Sequence, residues 1–330
     1  MTPEDRVNAI VVRGYTERQA RFLVLVMLHS GVCTMRQYCQ FGGISRGQKS
    51  HDFFSTLVAR GHATSTADTT GAVKIFHIYG SSLYDAIREP DNRNRKAPSV
   101  AAAVERVMLL DAVLACTDMR WLATEREKMA HFTKVLGVGF QRCELPQLVF
   151  GEPPDVTVRY FPDKLPIGLD ASGQTVVTFL VTRPAPVDFR AFLQRHAELL
   201  RALPQWRLRL LIPGHFAESE PTYLAAVRDE FFSPMRPGAV DELQWFFQQK
   251  AVAAEGGTIL EAERFYTAQR AFDGPRFRAL YRRWRELGPR ALAALSSPVL
   301  AEAVRRGTGA VETHVLAYSY SQLQTMVGTA

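Results

Sequence analysis

Between Gly43 and Thr64 the chain reads GISRGQKSHDFFSTLVARGHAT, and the first half of this stretch holds the side chains best suited to recognition chemistry. Ser45, Arg46, Gln48, Lys49, Asp52 and Ser55 bring hydroxyl, amide, carboxylate and cationic groups into a few helical turns. Wound as a helix, Phe53, Phe54, Leu57 and Val58 share one face and the polar groups point away from it. A glutamine can pair with an adenine edge, arginine or lysine can meet guanine or phosphate, and a helix N-terminus favours an anion. The stretch therefore reads as a helix that packs through its aromatic face and offers its opening turns to a DNA major groove. A solvated helix face on a protein-docking domain is the competing reading. Arg36, just upstream, and Lys74, just downstream, are secondary candidates for phosphate contact.

The neighbouring elements would position this helix. Thr16 opens TERQARFLVLVMLHSG with the Thr-x-x-Gln pattern of a capping box, and Gly31 is placed to stop it. Thr34 caps a second short helix in TMRQYCQF, which Gly42 and Gly43 break. Ser45 is placed to cap the third, which ends near Arg60 before Gly61. HATSTADTTGAVKIFHIYG then reads as a β-hairpin turning at ADTTG, with Val73, Ile75 and the run Phe76 to Ile78 alternating in and out. Three helices followed by a hairpin is the order of a winged helix-turn-helix. GSSLYDAI supplies a closing helix, and the polar REPDNRNRKAPS reads as a linker, with a domain boundary near Asn92 to Pro98.

The chain has 330 residues, 47% hydrophobic and 22% charged, enough for two domains with separate cores. A formal charge of +7 favours polyanionic partners, with nucleic acid the commonest and an acidic protein or membrane surface the alternatives. Cys33, Cys39, Cys116 and Cys143 lack the spacing of a zinc knuckle or redox pair and read as buried or partly buried reduced thiols. The opening MTPEDRVNAIVVRGY lacks the basic leader and long apolar run of a secretion signal, and FLVLVML is too short for a membrane span. A cytoplasmic protein with no membrane association is expected.

VAAAVERVMLLDAVLA, after Ser99, is apolar almost all round and reads as a buried or interface helix. A helix over TDMRWLATEREKMAHFTKVLG, capped by Thr117 or Asp118, and a strand at LPQLVFG are expected next. DVTVRYFPDKLPIGLDASGQTVVTFLVTRP gives consecutive strands, DFRAFLQRHAELLRAL a helix and WRLRLLIPG a buried strand. This is a layered α/β or α+β domain. From Pro221 onward the pattern is helical, with no fixed repeat. In RFRALYRRWRELG, Phe277, Leu280, Tyr281 and Trp284 form a stripe expected to be core, leaving Arg276, Arg278, Arg282, Arg283 and Arg285 as candidate phosphate contacts.

The segments TERQARFLVLVML, Gly43 to Thr64 and KIFHIYGSSLYDAI together resemble the winged-helix half of bacterial replication-relaxation-type and similar mobile-element proteins. The resemblance covers loosely the first two-thirds of the chain. It implies a DNA-binding domain followed by one related to, and often degenerated from, the PD-(D/E)xK nucleases. Such enzymes need a strand-borne acid followed on the next strand by an acid and a lysine two residues apart, to hold a divalent metal and steady the attacking water.

Asp163 has Thr178, Leu180 and Thr182 where those partners should stand, and starting from Asp155 makes Asp163 and Lys164 adjacent instead of alternating. Glu125 and Glu127 could supply an upstream acid, but their mixed charge run is typical of an exposed helix. His131 and His215 have no second ligand beside them, and there is neither a Gly-rich phosphate loop nor a nucleophile elbow.

The expected architecture is thus α/β (α+β): a winged helix-turn-helix over residues 1–95, a degenerate nuclease-like domain over 96–220, and a helical region over 221–330 packed on it. The expected function is sequence-specific binding of double-stranded DNA, as a dimeric transcriptional regulator of a mobile element or defence locus, with no catalysis, metal or cofactor. The long helix after Ser99 and the C-terminal helices are the expected self-association surfaces, and the C-terminal region is the expected docking surface for a protein partner. A metal-dependent nuclease, or a replication or conjugation accessory protein that binds DNA and a partner, are the alternatives.

Overall fold

Three reciprocal capping boxes start the N-terminal helices in the computed structural model. It describes residues 1–67, 73–136, 141–151 and 154–327, apart from the side chains of Cys143, Gln324 and Thr325. Thr2 with Asp5 opens α1 (Pro3–Val11), Thr16 with Gln19 opens α2 (Glu17–His29), and β1 (Val32–Thr34) ends at Thr34, which with Gln37 opens α3 (Met35–Gly42). Helix α1 is an element the sequence reading missed. Helix α4 (Gln48–Ala59) starts later than expected: Gly47 is its N-cap in place of Ser45, and Ser50 Oγ accepts the Gly47 N–H at 3.1 Å.

The expected hairpin forms from β2 (Ala63–Ala67) and β3 (Lys74–Ile78), and β1 adds to its far side to give the antiparallel order β1-β3-β2. Most of the expected turn, residues 68–72, lies outside the described residues. The expected alternation holds along β3, but both of its sides are covered. Phe76 and Ile78 enter the core beneath α2 and α4, while Ile75 is buried on the opposite side against the next long helix. Helix α5 (Ser81–Ala86) follows.

The expected linker is instead a packed segment. It forms a 3₁₀ turn at Arg93–Arg95, and the buried Asn94 amide donates to the carbonyls of Met27 at 3.1 Å and Leu28 at 3.2 Å. Gly31 permits this approach. Its φ is +71°, and a Cβ there would lie 2.5 Å from the Asn94 carbonyl oxygen.

Helix α6 (Val100–Ala115) then runs between the N-terminal unit and a second sheet. That sheet comprises β4 (Arg120–Leu122), β7 (Ile167–Leu169), β8 (Thr175–Leu180), β9 (Trp206–Ile212) and β10 (Gly309–Val315), in the order β10-β9-β8-β7-β4. The β8–β9 and β9–β10 pairs are parallel, and β4–β7 and β7–β8 are antiparallel. A smaller antiparallel pair, β5 (Gln147–Phe150) with β6 (Thr157–Tyr160), stands apart.

Strand β8 is buried along its whole length because helices cover both faces. Val177 and Phe179 meet Phe189, Phe192 and Leu193 of α8 (Val187–Ala202), while Leu180 and Leu211 meet Val104 and Met108 of α6. The chain is therefore a mixed α/β protein.

Two further expectations are corrected. Residues expected to continue a helix from Thr117 or Asp118 form β4, and the helix begins only at α7 (Glu125–Ala130), capped by Thr124. The last third is not wholly helical. After α9 (Glu220–Val227), α10 (Pro237–Ala254), α11 (Ala262–Ala271), α12 (Pro275–Leu287) and α13 (Val299–Arg305), β10 returns to the sheet edge, and α14 (Ser321–Thr325) ends against α6. Gly309 allows that return, since a Cβ would lie 2.4 Å from the Trp206 ring.

Among the C-terminal helices, Leu280 is buried, with Phe277, Tyr281 and Trp284 packed against the same core as Leu243, Phe246 and Phe247. The expected aromatic stripe is thus core. Several of its arginines are engaged: Arg276 with Glu230, Arg278 with Asp273 and Arg285 with Glu255. Cys33 and Cys39 are buried and Cys116 half-buried, all as free thiols, while the Cys143 side chain lies outside the described residues. No helix among the described residues is long and apolar enough to cross a membrane.

Asp111 is the acid placed in the apolar run of α6, and it is buried. Its carboxylate accepts from Arg36 Nη2 at 2.5 Å, Gln37 Nε2 at 2.9 Å and the Tyr320 hydroxyl at 2.8 Å, which ties α3, α6 and the C-terminal segment together. Burial and the Asp111 carboxylate together push the Tyr320 hydroxyl upward, so it stays a donor. Removing the acceptor strands three donors at once. Asp111→Ala is expected to destabilise the fold by roughly 3–5 kcal/mol in urea denaturation, and Asp111→Asn by less.

His196 offers a second test. It is buried on α8, with Nδ1 at 3.0 Å from the Phe192 carbonyl and its ring 4.0 Å from that of Phe192. Burial is the chief cause that brings its imidazole down to about 4, below the usual 6.5. An unfolded chain takes up this proton first, so the contribution is complete above the ordinary value and declines as pH falls towards the folded one. Between those values wild type is expected to lose about 3 kcal/mol more than His196→Gln, read from denaturation midpoints across pH.

Candidate nucleic-acid interface

The placement of α4 begins with its aromatic underside. Phe53, Phe54 and Leu57 are buried, and the Phe54 ring stacks on Phe76 of β3 at 4.1 Å and meets Phe53 at 4.9 Å. Tyr38 of α3 closes the cluster, its ring 4.4 Å from Phe53 and 5.9 Å from Phe54. The cluster therefore fixes α4 against both α3 and the hairpin. Val58, expected on this face, is instead 42% exposed, because the buried surface follows Ser50, Phe53, Phe54 and Leu57 and leaves Val58 past its edge.

Above this base, Ser45, Arg46, Gln48, Lys49, Asp52 and Ser55 are all exposed, as is Lys74 at the start of β3. Gln48 Nε2 donates to Asp52 Oδ1 at 2.6 Å, one helical turn on, so the two side chains are held as a unit. No carboxylate lies within ion-pair distance of Arg46, Lys49 or Lys74 among the described residues, and their charges face solvent. The face is cationic at its helix N-terminus, where the backbone dipole adds to the same sign.

Arg36 differs from its expected role. Its guanidinium is held by Asp111 and lies 3.8 Å from the centre of the Tyr318 ring, so its charge is largely spent inside the protein. No local sequence signal marks this, because its partners lie 75 and 282 positions downstream.

Sequence reasoning also missed the C-terminal segment beside α4. A concavity of about 750 Å³ lies between Arg46, His51 and Ser55 of the helix region, Lys74 of β3, and Ser319 and Gln322. The segment borders the recognition face without covering it.

The residues considered for metal chemistry are dispersed into other roles. Asp163 is held by Arg195, whose Nη1 lies 2.6 and 2.7 Å from its two oxygens. Glu125 accepts the Tyr160 N–H at 3.0 Å and pairs with Arg93 at 3.3 Å, while Glu127 caps α7 and pairs with Arg6 at 2.8 Å. Asp155 is exposed, His131 is buried and His215 is exposed. Among the described residues no three histidine, cysteine or acidic side chains gather where a metal ion would sit.

No protein-family model, curated protein or solved structure matches this chain. Function must therefore be argued from the site's own geometry.

The aromatic base makes a direct prediction. Phe54→Ala should leave a cavity under α4 and destabilise the protein by roughly 3–5 kcal/mol, whereas Val58→Ala should change stability by less than about 0.5 kcal/mol. Paired chemical denaturation curves would separate the two positions.

Proposed function

We propose that the N-terminal unit is a winged helix-turn-helix that binds double-stranded DNA in a sequence-specific manner, with α4 in the major groove and β2–β3 as the wing. The observation that carries this reading is the exposed row Ser45, Arg46, Gln48, Lys49, Asp52 and Ser55, fixed from below by Phe53, Phe54 and Leu57. Gln48 offers an amide to an adenine edge, and Arg46 and Lys49 offer charge to guanine or phosphate. Lys74 reaches the backbone from the wing. Arg36 supports the fold through Asp111 and takes no part in contacting DNA.

On this proposal the protein acts by binding, not by chemistry, as a regulator within a mobile element or defence locus, with the mixed sheet and C-terminal helices as its structural partner. The resemblance carried by the N-terminal segments is what points to such a locus. The proposed active form is a homodimer, which sets two α4 helices about one DNA turn apart and favours an inverted-repeat site. Helix α6, first considered for self-association, is excluded because it is sandwiched inside the chain. Exposed apolar side chains at Leu260 and Tyr266 in the C-terminal region and at Val149 and Phe150 on β5 are the surfaces proposed for the second subunit.

The test is binding to DNA fragments selected from the native genome. Arg46→Ala with Lys49→Ala should weaken affinity by roughly 10- to 100-fold and make the dependence of log affinity on log salt shallower by about 2. Unchanged affinity and slope would remove the proposal. Addition of magnesium or manganese to the same complexes is expected to leave the DNA uncut.

A further inference from the structure

A second cationic site lies away from α4, where the N-terminal unit meets the larger sheet. The segment Arg88 to Asn94 forms one wall of a cleft of about 450 Å³, and the start of α7, β6 and the loop before β7 form the other. Its carboxylates Glu89 and Glu125 pair with Arg126 and Arg93, whereas Arg88, Arg159, Lys164 and Lys128, which also line it, have no ion-pair partner among the described residues. Lys128 is buried and gives one hydrogen bond, to the Leu165 carbonyl at 2.7 Å, leaving further N–H capacity unspent. Around Lys164 the charged neighbours are of its own sign: Arg106, Arg93 and Lys96. Cations outnumber the acids that line the cleft, so these four are left without a paired counter-ion of their own.

The backbone singles out the same place. Among the described residues, the three positive φ angles outside glycine belong to Arg88 at +59°, Phe161 at +46° and Lys164 at +58°. Arg88 and Lys164 line the cleft, while the Phe161 carbonyl accepts from the cleft residue Arg93 and its ring lies 5.7 Å from Lys128 Nζ. Each left-handed conformation costs about 1–3 kcal/mol, and such costs gather at binding sites.

Desolvation, with Arg93 as the next cause and Asp163, Glu125 and Glu127 opposing, brings the Lys128 ammonium down to about 7, and desolvation followed by the three neighbouring cations brings Lys164 to about 8. An anion in the cleft would favour the charged form of both.

We infer that this cleft binds a small phosphorylated ligand of the nucleotide class. Arginine forks and lysine point charges match phosphate oxygens, and the volume exceeds what a bare phosphate fills. Asp91 and Asn92, on the wall beside Arg88, supply acceptors for the hydroxyl and amine donors that a nucleotide carries beyond its phosphates. The inference stands apart from DNA binding by α4.

Calorimetry on the full chain tests it, with ATP, adenosine, inorganic pyrophosphate and a short single-stranded oligonucleotide as probes. ATP should bind with a dissociation constant below roughly 1 mM, adenosine at least 10-fold more weakly, and pyrophosphate should displace ATP. Arg159→Ala with Lys164→Gly should weaken ATP binding by roughly 10- to 100-fold. Lys164→Gly alone should leave the melting temperature unchanged or higher, because glycine adopts the left-handed backbone freely, and this separates lost recognition from lost folding. Failure of ATP to bind, equal binding of adenosine, unchanged affinity in the double variant, or displacement by the oligonucleotide but not by pyrophosphate would each overturn the inference.

Discussion

Asp111 is the constraint on which the arrangement of the chain depends. Helix α6 packs its apolar side chains on the larger sheet, and apolar burial alone is tolerant of sliding and rotation. A buried carboxylate with three donors is not tolerant in this way. Arg36 and Gln37 come from α3 and Tyr320 from the end of the chain, so a shift of α3 along α6 by one turn would break both of its bonds to the acid. Gln37 also reaches the Val107 carbonyl at 2.8 Å, which fixes α3 at a second point one turn earlier on α6. The interaction fixes relative position more than it adds net stability, because desolvating the charge offsets much of its gain.

That rigidity passes to α4 through aromatic contact. Tyr38 stands on α3 and touches both Phe53 and Phe54, and Phe54 stacks on Phe76 of the hairpin. An unbroken series of packed groups therefore runs from the larger sheet through Asp111 and α3 to the exposed face of α4. The segment Arg88 to Asn94 adds a second tie, since Asn94 is bonded to the end of α2 while Arg93 pairs with Glu125 at the start of α7 and donates to the Phe161 carbonyl at 3.4 Å. The two units are thus joined at separate points, and a hinge between them would have to break buried hydrogen bonds.

What the sequence made legible follows from how local each signal is. The capping boxes at Thr16 and Thr34 involve residues three apart, and the aromatic face of α4 needs only helical spacing, so both could be read directly. Helix α1 carries an equally local signal, the capping box of Thr2 and Asp5 with Pro3 at its first turn. Strand β10 was hidden. GAVETHV is polar and charged, as suits a sheet edge, and its pairing partner β9 lies about a hundred residues upstream. The role of Arg36 was unreadable on the same grounds: a partly exposed arginine beside a presumed DNA-binding helix looks like a phosphate contact until its distant acid is placed next to it. Of the candidate residues, those on α4 and Lys74 stand exposed on one side of the molecule, and Arg36 turns inward.

Two sets of cations therefore need different explanations. Arg46, Lys49 and Lys74 are exposed and free of left-handed backbone, which suits long-range attraction of a large polyanion and strong sensitivity to salt. Those in the cleft are gathered from several chain segments onto a concave surface, with strained backbone at Arg88 and Lys164. A charged surface needed only for solubility would spread such groups apart and leave the backbone relaxed. Holding like charges together costs free energy in the empty protein, and a bound anion is what would return it. Because the recess lies between the same two units that α6 and Arg93 join, a ligand there would touch both and would alter the strength of the junction without moving α4 directly.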